Sequence, residues 1–165
     1  MLPLEMFAER NFSVGNLSTL TLYAGLGAAF FFIIIFVQQV SGYNALEAGL
    51  ALMPVTIMML ALSQRFGALA DRFGPRLFMG AGPLLAGAGL LLLVRTDAEV
   101  DYVSSLLPAM LLFGLGLAIT VAPLTATVLG GANERHAGIA SGVNNAVARV
   151  AGLLAIAAVG AVVAD

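Results

Sequence analysis

GALADRFGPR, residues 67–76, is a glycine-flanked island of charge between two long apolar runs, and its reading decides the fold. Neither 48–64 nor 77–94 carries a charged residue, whereas the island holds Asp71, Arg72 and Arg76, with Arg65 just upstream. Charge this concentrated between apolar runs marks a membrane boundary, and the stretch reads as a tight loop joining two membrane helices. Composition agrees: 61% of residues are hydrophobic and 10% charged, against roughly 25% charged in soluble domains. The chain reads as all-α and polytopic.

Composition also narrows the chemistry. Without cysteine there is no thiol nucleophile or sulfur metal site, and one histidine cannot build an imidazole cluster. No nucleophile–base pair and no Gly-Lys-Ser phosphate loop occurs, so no catalytic, metal or cofactor site is expected. A net charge of −2 gives no reason to expect nucleic acid. The lipid bilayer is the expected main partner.

Working outward from the island, each helix follows from its boundaries. Upstream, Asn44 and Glu47 have capping-box spacing, so a second helix is expected over 45–66, kinked at Pro54 by the missing N–H and the ring clash. Before it, a charge-free run supplies the ~20 apolar residues of a span, giving a first helix over 13–40 after an amphipathic lead-in, 1–12. Downstream, Gly74 permits the turn and Pro75 suits a first helical position, which starts a third helix over 75–94. Two more charge-free runs give helices over 103–129 and 137–164, the last interrupted only by Arg149. Basic residues stay on the cytoplasmic side. Arg10, Arg65, Arg72, Arg76 and Arg135 share one face and Arg95 alone holds the other, so the N-terminus and the island are expected to be cytoplasmic.

Five segments together carry a family resemblance. GALADRFGPR resembles the loop signature of the major facilitator superfamily: glycine, three residues, Asp, Arg, one residue, Gly, then basic residues. Gly67, Asp71, Arg72, Gly74 and Arg76 match it, while Pro75 stands at the first basic position and is more similar to the copy in a second half. LPLEMF (2–7), FVQQVSGYNALEAGLALMP (36–54), APLTATVL (122–129) and GIASGVNNAVARVAG (138–152) resemble the fourteen-helix drug:proton antiporter branch. The resemblance implies the first five helices of a second six-helix bundle, as a fragment without the preceding half or the closing helix. It implies a multi-pass protein of a cell membrane, bacterial inner membrane by type. The implied function is proton-coupled efflux of small hydrophobic or amphipathic compounds by alternating access, with protons and a small-molecule substrate as partners. The alternatives are a non-transporting assembly subunit and an inactive truncated remnant.

Candidate site residues divide into two groups. The signature, Gly67, Asp71, Arg72, Gly74 and Arg76, is implied to steady one access state; the alternative is a topology determinant and tight turn. In the fifth helix, Gly138, Gly142, Asn145, Arg149, Gly152, Ile156 and Gly160 fall in one stripe about 80° wide, small and polar enough to be expected against protein. Arg149 lies near mid-span, where an unpaired charge costs at least ~2.5–3.5 kcal/mol. It reads either as a cavity arginine near a transport path or as half of a structural pair. Thr19, Tyr23, Phe30 and Gln38 share one approximate face of the first helix, lining a cavity or packing between helices. Gly82, Ala86, Gly114, Ala118 and Ala122 read as close-packing positions, and Glu134 and His136 as a polar boundary.

Overall fold

The computed structural model describes residues 4–94, 101–130 and 136–164, all in helices or short turns between them. A 3₁₀ turn, Leu4–Ala8, leads into α1, Arg10–Ile35, which continues through a wider π turn, Phe36–Val40. Next come α2, Ala45–Ala51, α3, Met53–Phe73, and α4, Pro75–Leu93. A second π turn, Tyr102–Leu106, opens α5, Leu107–Gly130, and α6 runs Ala137–Ala164. Among the described residues, five stretches are long and apolar enough to cross a membrane: Arg10–Val40, Ala45–Phe73, Pro75–Leu93, Tyr102–Gly130 and Ala137–Val162. The acidic segment holding Arg95 and the loop holding Glu134 and Arg135 lie outside the described residues.

Local chemistry sets the helix ends. The first helix begins at Arg10, ahead of the expected residue 13, because the lead-in folds back onto it. The Ser13 hydroxyl donates to the Phe7 carbonyl at 2.6 Å, and the Phe7 and Phe12 rings meet edge to face at 5.3 Å. At its other end the Ser41 N–H reaches the Phe36 carbonyl at 3.2 Å, five residues back, which widens the last turn. Asn44 and Glu47 form a reciprocal capping box, each bond 2.9 Å, and start α2. On the fourth span Asp101 accepts from the Val103 N–H at 3.0 Å and the Ser104 hydroxyl at 3.1 Å.

Pro54 interrupts the second span before itself instead of bending it in place. The α-helical pattern stops at Ala51 and resumes at Met53, with the proline in the first turn of α3, where its missing N–H has no bond to lose. At the far end α3 continues to Phe73, seven residues past the expected end at 66. The island is therefore not a ten-residue loop. Gly67 to Phe73 are helical, the Gly74 N–H bonds the Ala70 carbonyl at 2.8 Å, and Gly74 is the one residue between α3 and α4. The reason is that Ala-Leu-Ala is strongly helix-forming and exposed charged side chains do not oppose a helix. Charge marks the depth of a boundary, which differs from the end of a helix.

Contacts divide the chain into two units, one comprising Met1–Phe31 and Leu124–Asp165, the other Phe32–Pro123. In the second unit α4 and α5 pack antiparallel through glycine. A Cβ on Gly82 would strike the Thr120 hydroxyl and lie 2.8 Å from the Gly116 carbonyl, and one on Gly89 would lie 2.6 Å from the Phe113 nitrogen. Thr120, buried there, donates its hydroxyl to the Gly116 carbonyl at 2.7 Å. On another side of α5, a Cβ on Gly114 would lie 2.9 Å from the Val55 Cα of α3. Ala70, Phe78 and Ile119 form a buried cluster flanked by Phe66, Leu85 and Leu115. The fourth span is accordingly 56% buried over its most apolar window, against 6–22% for the others.

In the first unit α1 and α6 lie parallel and in register. Thr19 meets Asn144, and eight residues further along each helix Gly27 meets Gly152, at the same 125-residue offset. A Cβ on Gly27 would come 2.6 Å from the Gly152 Cα. The end of α5 packs on α1 as well, where a Cβ on Gly15 would lie 2.6 Å from the Val128 side chain.

Candidate functional site

The signature residues converge on one short junction. Gly67 lies in α3, where a Cβ would sit 3.7 Å from the Ala122 side chain, an ordinary contact. Asp71 and Arg72 occupy the last turn of α3 and Arg76 the first turn of α4, all exposed. Arg72 suits the negative end of the α3 dipole and stacks 5.7 Å from the Phe73 ring. Asp71 is at the unfavourable end of the same dipole, and among the described residues it makes no ion pair or side-chain hydrogen bond. Its carboxylate is available to another surface. Gly74 joins the helices at φ 90°, ψ 142°, a conformation open essentially to glycine alone.

That geometry gives a separable prediction. Nothing lies within 4 Å of a Cβ built on Gly74, so replacing it costs backbone strain and no collision. Gly74→Ala is expected to destabilise by about 1–3 kcal/mol. Thermal unfolding in detergent checks it against Gly80→Ala, equally uncrowded but helical, which should be neutral or slightly stabilising.

The other candidates lie on α1 and α6. Tyr23 is half-buried in α1, its carbonyl 3.7 Å from a Cβ built on Gly152, whereas Gln38 is exposed in the π turn. On α6 the small and polar stripe is exposed at Gly138, Gly142, Asn145 and Arg149 and half-buried at Gly152, Ile156 and Gly160. Asn145 turns its amide back to the Ser141 carbonyl at 3.0 Å, and Arg149 makes no ion pair among the described residues. The packed side of α6 is a different one, with Ala140 and Ala151 fully buried. By helical angle the two faces are centred more than 90° apart, and of the glycines in the stripe Gly152 lies against α1 while a Cβ on Gly138, Gly142 or Gly160 would meet nothing within 4 Å.

Two hydrogen-bonded polar residues are missing from the sequence-based set, Asn144 and Asn16. Thr19, completely buried, places its hydroxyl 2.7 Å from Asn144 Oδ1 and 3.0 Å from the Gly15 carbonyl. One hydroxyl proton serves one acceptor at a time; turning the Asn144 amide over makes both bonds at once, amide to hydroxyl and hydroxyl to carbonyl. One turn earlier, Asn16 is buried and donates to the Phe12 carbonyl at 2.9 Å. The available signal was the spacing of Asn144 with Ala140 and Ala151, which puts it on the narrow face that packs, while its neighbour Asn145 points elsewhere. A double-mutant cycle of Thr19→Val and Asn144→Leu is expected to give a coupling of about 0.6–2 kcal/mol, read from thermal unfolding in detergent.

Comparison with known proteins fits this architecture. The sequence profile of the Major Facilitator Superfamily matches residues 3–156. The chain belongs to that superfamily. Among its relatives, the tetracenomycin C resistance and export protein of Streptomyces glaucescens is 30% identical over 100% of this chain and 30% of its own length. An uncharacterized transporter of the superfamily, EfpA of Mycobacterium tuberculosis, is 31% identical over 99% of this chain and 31% of its own. The puromycin resistance protein of Streptomyces alboniger is 31% identical over 81% and 27%. This major facilitator chain thus spans about three tenths of the length of the curated relatives it matches, and it is a multi-pass membrane segment with an all-α fold.

Proposed function

We propose that this chain is part of a transporter that exports small hydrophobic or amphipathic compounds by alternating access, coupled to proton entry. The observation that carries the reading is the α3–α4 junction. Four signature residues, Gly67, Asp71, Arg72 and Arg76, flank the fifth, the left-handed Gly74, and the exposed carboxylate of Asp71, unpaired among the described residues, is free to engage a facing helix in one access state and release it in the other. An exposed charge–dipole contact is worth about 0.3–1 kcal/mol, weak enough to open during a cycle. The export-protein and resistance-protein names of the relatives support the efflux direction. The remaining length of such a transporter, another six-helix half included, supplies the facing surfaces and the proton-carrying group. The positive-inside bias of the arginines supports a cytoplasmic N-terminus and junction in a bacterial inner membrane.

Arg149 is the second element of the proposal. The described part of α6 is 28 residues, ~42 Å, and Arg149 lies ~18 Å from its start, near the midplane of a ~30 Å core. A guanidinium at that depth on an exposed face belongs beside a polar cavity or an acid. In the transporter that contains this chain, Arg149→Gln is expected to slow efflux by at least about tenfold, equal to about 1.4 kcal/mol. Asp71→Asn is expected to shift the balance of access states, read by inward- and outward-selective cysteine labelling. Wild-type efflux and labelling in both variants would overturn the site.

A further inference from the structure

From an exposed flank in the last turns of α3, we infer a binding site for an anionic phospholipid headgroup. Arg65, Leu69, Arg72 and Phe73 recur at spacings of four, three and one, which places all four on one side of the helix. All are exposed, with Leu69 39% and Phe73 66% accessible. Ala70, by contrast, is buried, and Phe66 packs against Phe78 with ring centroids 6.3 Å apart, which fixes the inward side of the same helix.

Charge and depth both point to a lipid phosphate. Neither Arg65 nor Arg72 forms an ion pair among the described residues, and Asp71, the one acid in this part of α3, lies about 120° around the helix from Arg65. The guanidiniums are therefore not neutralised within the helix. Arg72 and Phe73 are the last residues of a membrane span, and Arg65 is one heptad, ~10.5 Å, further in, a depth from which a long arginine stem reaches back to the headgroup layer. Arg76 and the exposed Leu77, just beyond Gly74, extend the same mix of basic and apolar groups. Leu69 and Phe73 select a lipid over a free anion. They offer a surface for the glycerol and upper acyl carbons that a soluble phosphate would leave uncovered, while the arginines supply the positive charge that holds the phosphate.

The test uses the full-length protein in nanodiscs of phosphatidylcholine mixed with phosphatidylglycerol, with native mass spectrometry reading the lipids retained on release. Retained lipid should be enriched in phosphatidylglycerol, and Arg65→Gln and Arg72→Gln should each cut that enrichment on the order of fivefold. Arg65→Lys and Arg72→Lys, which keep the charge, should retain most of it, separating loss of the site from loss of folding. Arg10→Gln, an exposed arginine of another helix, should leave it unchanged. Equal enrichment in wild type and the double glutamine variant would overturn the proposal. So would displacement of the lipid by inorganic phosphate together with indifference to Phe73→Ala, which would identify a general anion patch.

Discussion

Gly116→Leu is expected to prevent α4 and α5 from packing and to lower stability by more than about 3 kcal/mol, the upper end of overpacking costs. A Cβ at this position would collide with the Ala86 backbone nitrogen and lie 2.6 Å from the Gly82 carbonyl. Those atoms belong to the backbone of a facing helix and cannot turn aside as a side chain would. Relief requires the helices to separate, which also strips contacts from Gly82 against Thr120 and Gly89 against Phe113. Gly116→Ala should already cost about 1–3 kcal/mol. Thermal unfolding in detergent reads the difference, at about 2–4 °C per kcal/mol for a chain of this size. Gly80→Leu is the matched control, because nothing lies within 4 Å of its Cβ. A Gly116→Leu variant that melts with the control would mean that α4 and α5 do not cross here.

Gly27→Val is expected to have the next largest effect, about 1–3 kcal/mol, by opening the parallel α1–α6 seam. Its Cβ would meet the Gly152 Cα at 2.6 Å and the Gly152 carbonyl oxygen at 2.9 Å. The reverse substitution is different in kind. A Cβ on Gly152 finds its nearest neighbours at 3.7 and 3.8 Å, ordinary contact distances, so Gly152→Ala should be close to neutral. This asymmetry is the sharper part of the prediction, because two glycines that face each other are usually assumed to be equally constrained. Since Thr19 and Asn144 lie two turns along the same seam, Gly27→Val should also reduce their coupling in the double-mutant cycle. Unfolding midpoints of Gly27→Val and Gly152→Ala, with the Thr19–Asn144 cycle repeated in the Gly27→Val background, decide it.

Much of the organisation is legible in the chain itself because membrane spans announce themselves by length and charge exclusion. The starts at Asn44 and Pro75 were legible for a local reason, since a capping box and a proline at the first turn act within four residues. The end of α3 was not. Asp71 and Arg72 look like loop residues in a list, yet side chains that project from the last turn of a helix leave its backbone bonds intact, as Gly74 to Ala70 shows. The site divides the same way. Gly74 was identifiable as a turn glycine from its place before proline. The neighbours Asn144 and Asn145 share composition and differ by about 100° in direction, and only packing reveals that the first reaches Thr19 while the second bonds its own helix.

By itself, then, the sequence determined that this chain lives in a membrane, how many times its described part can cross, and the superfamily to which it belongs. Those properties depend on hydropathy summed over some twenty residues and on short local signatures, both of which are one-dimensional. The tertiary structure decided which glycines tolerate a methyl group, which of two adjacent asparagines reaches a neighbouring helix, and which side of α6 is left uncovered. These depend on what lies opposite each residue in space. In a chain built from apolar helices, where nearly every face is greasy enough for lipid, close approach of backbones and a few hydrogen bonds choose the partners, and no single helix carries that information.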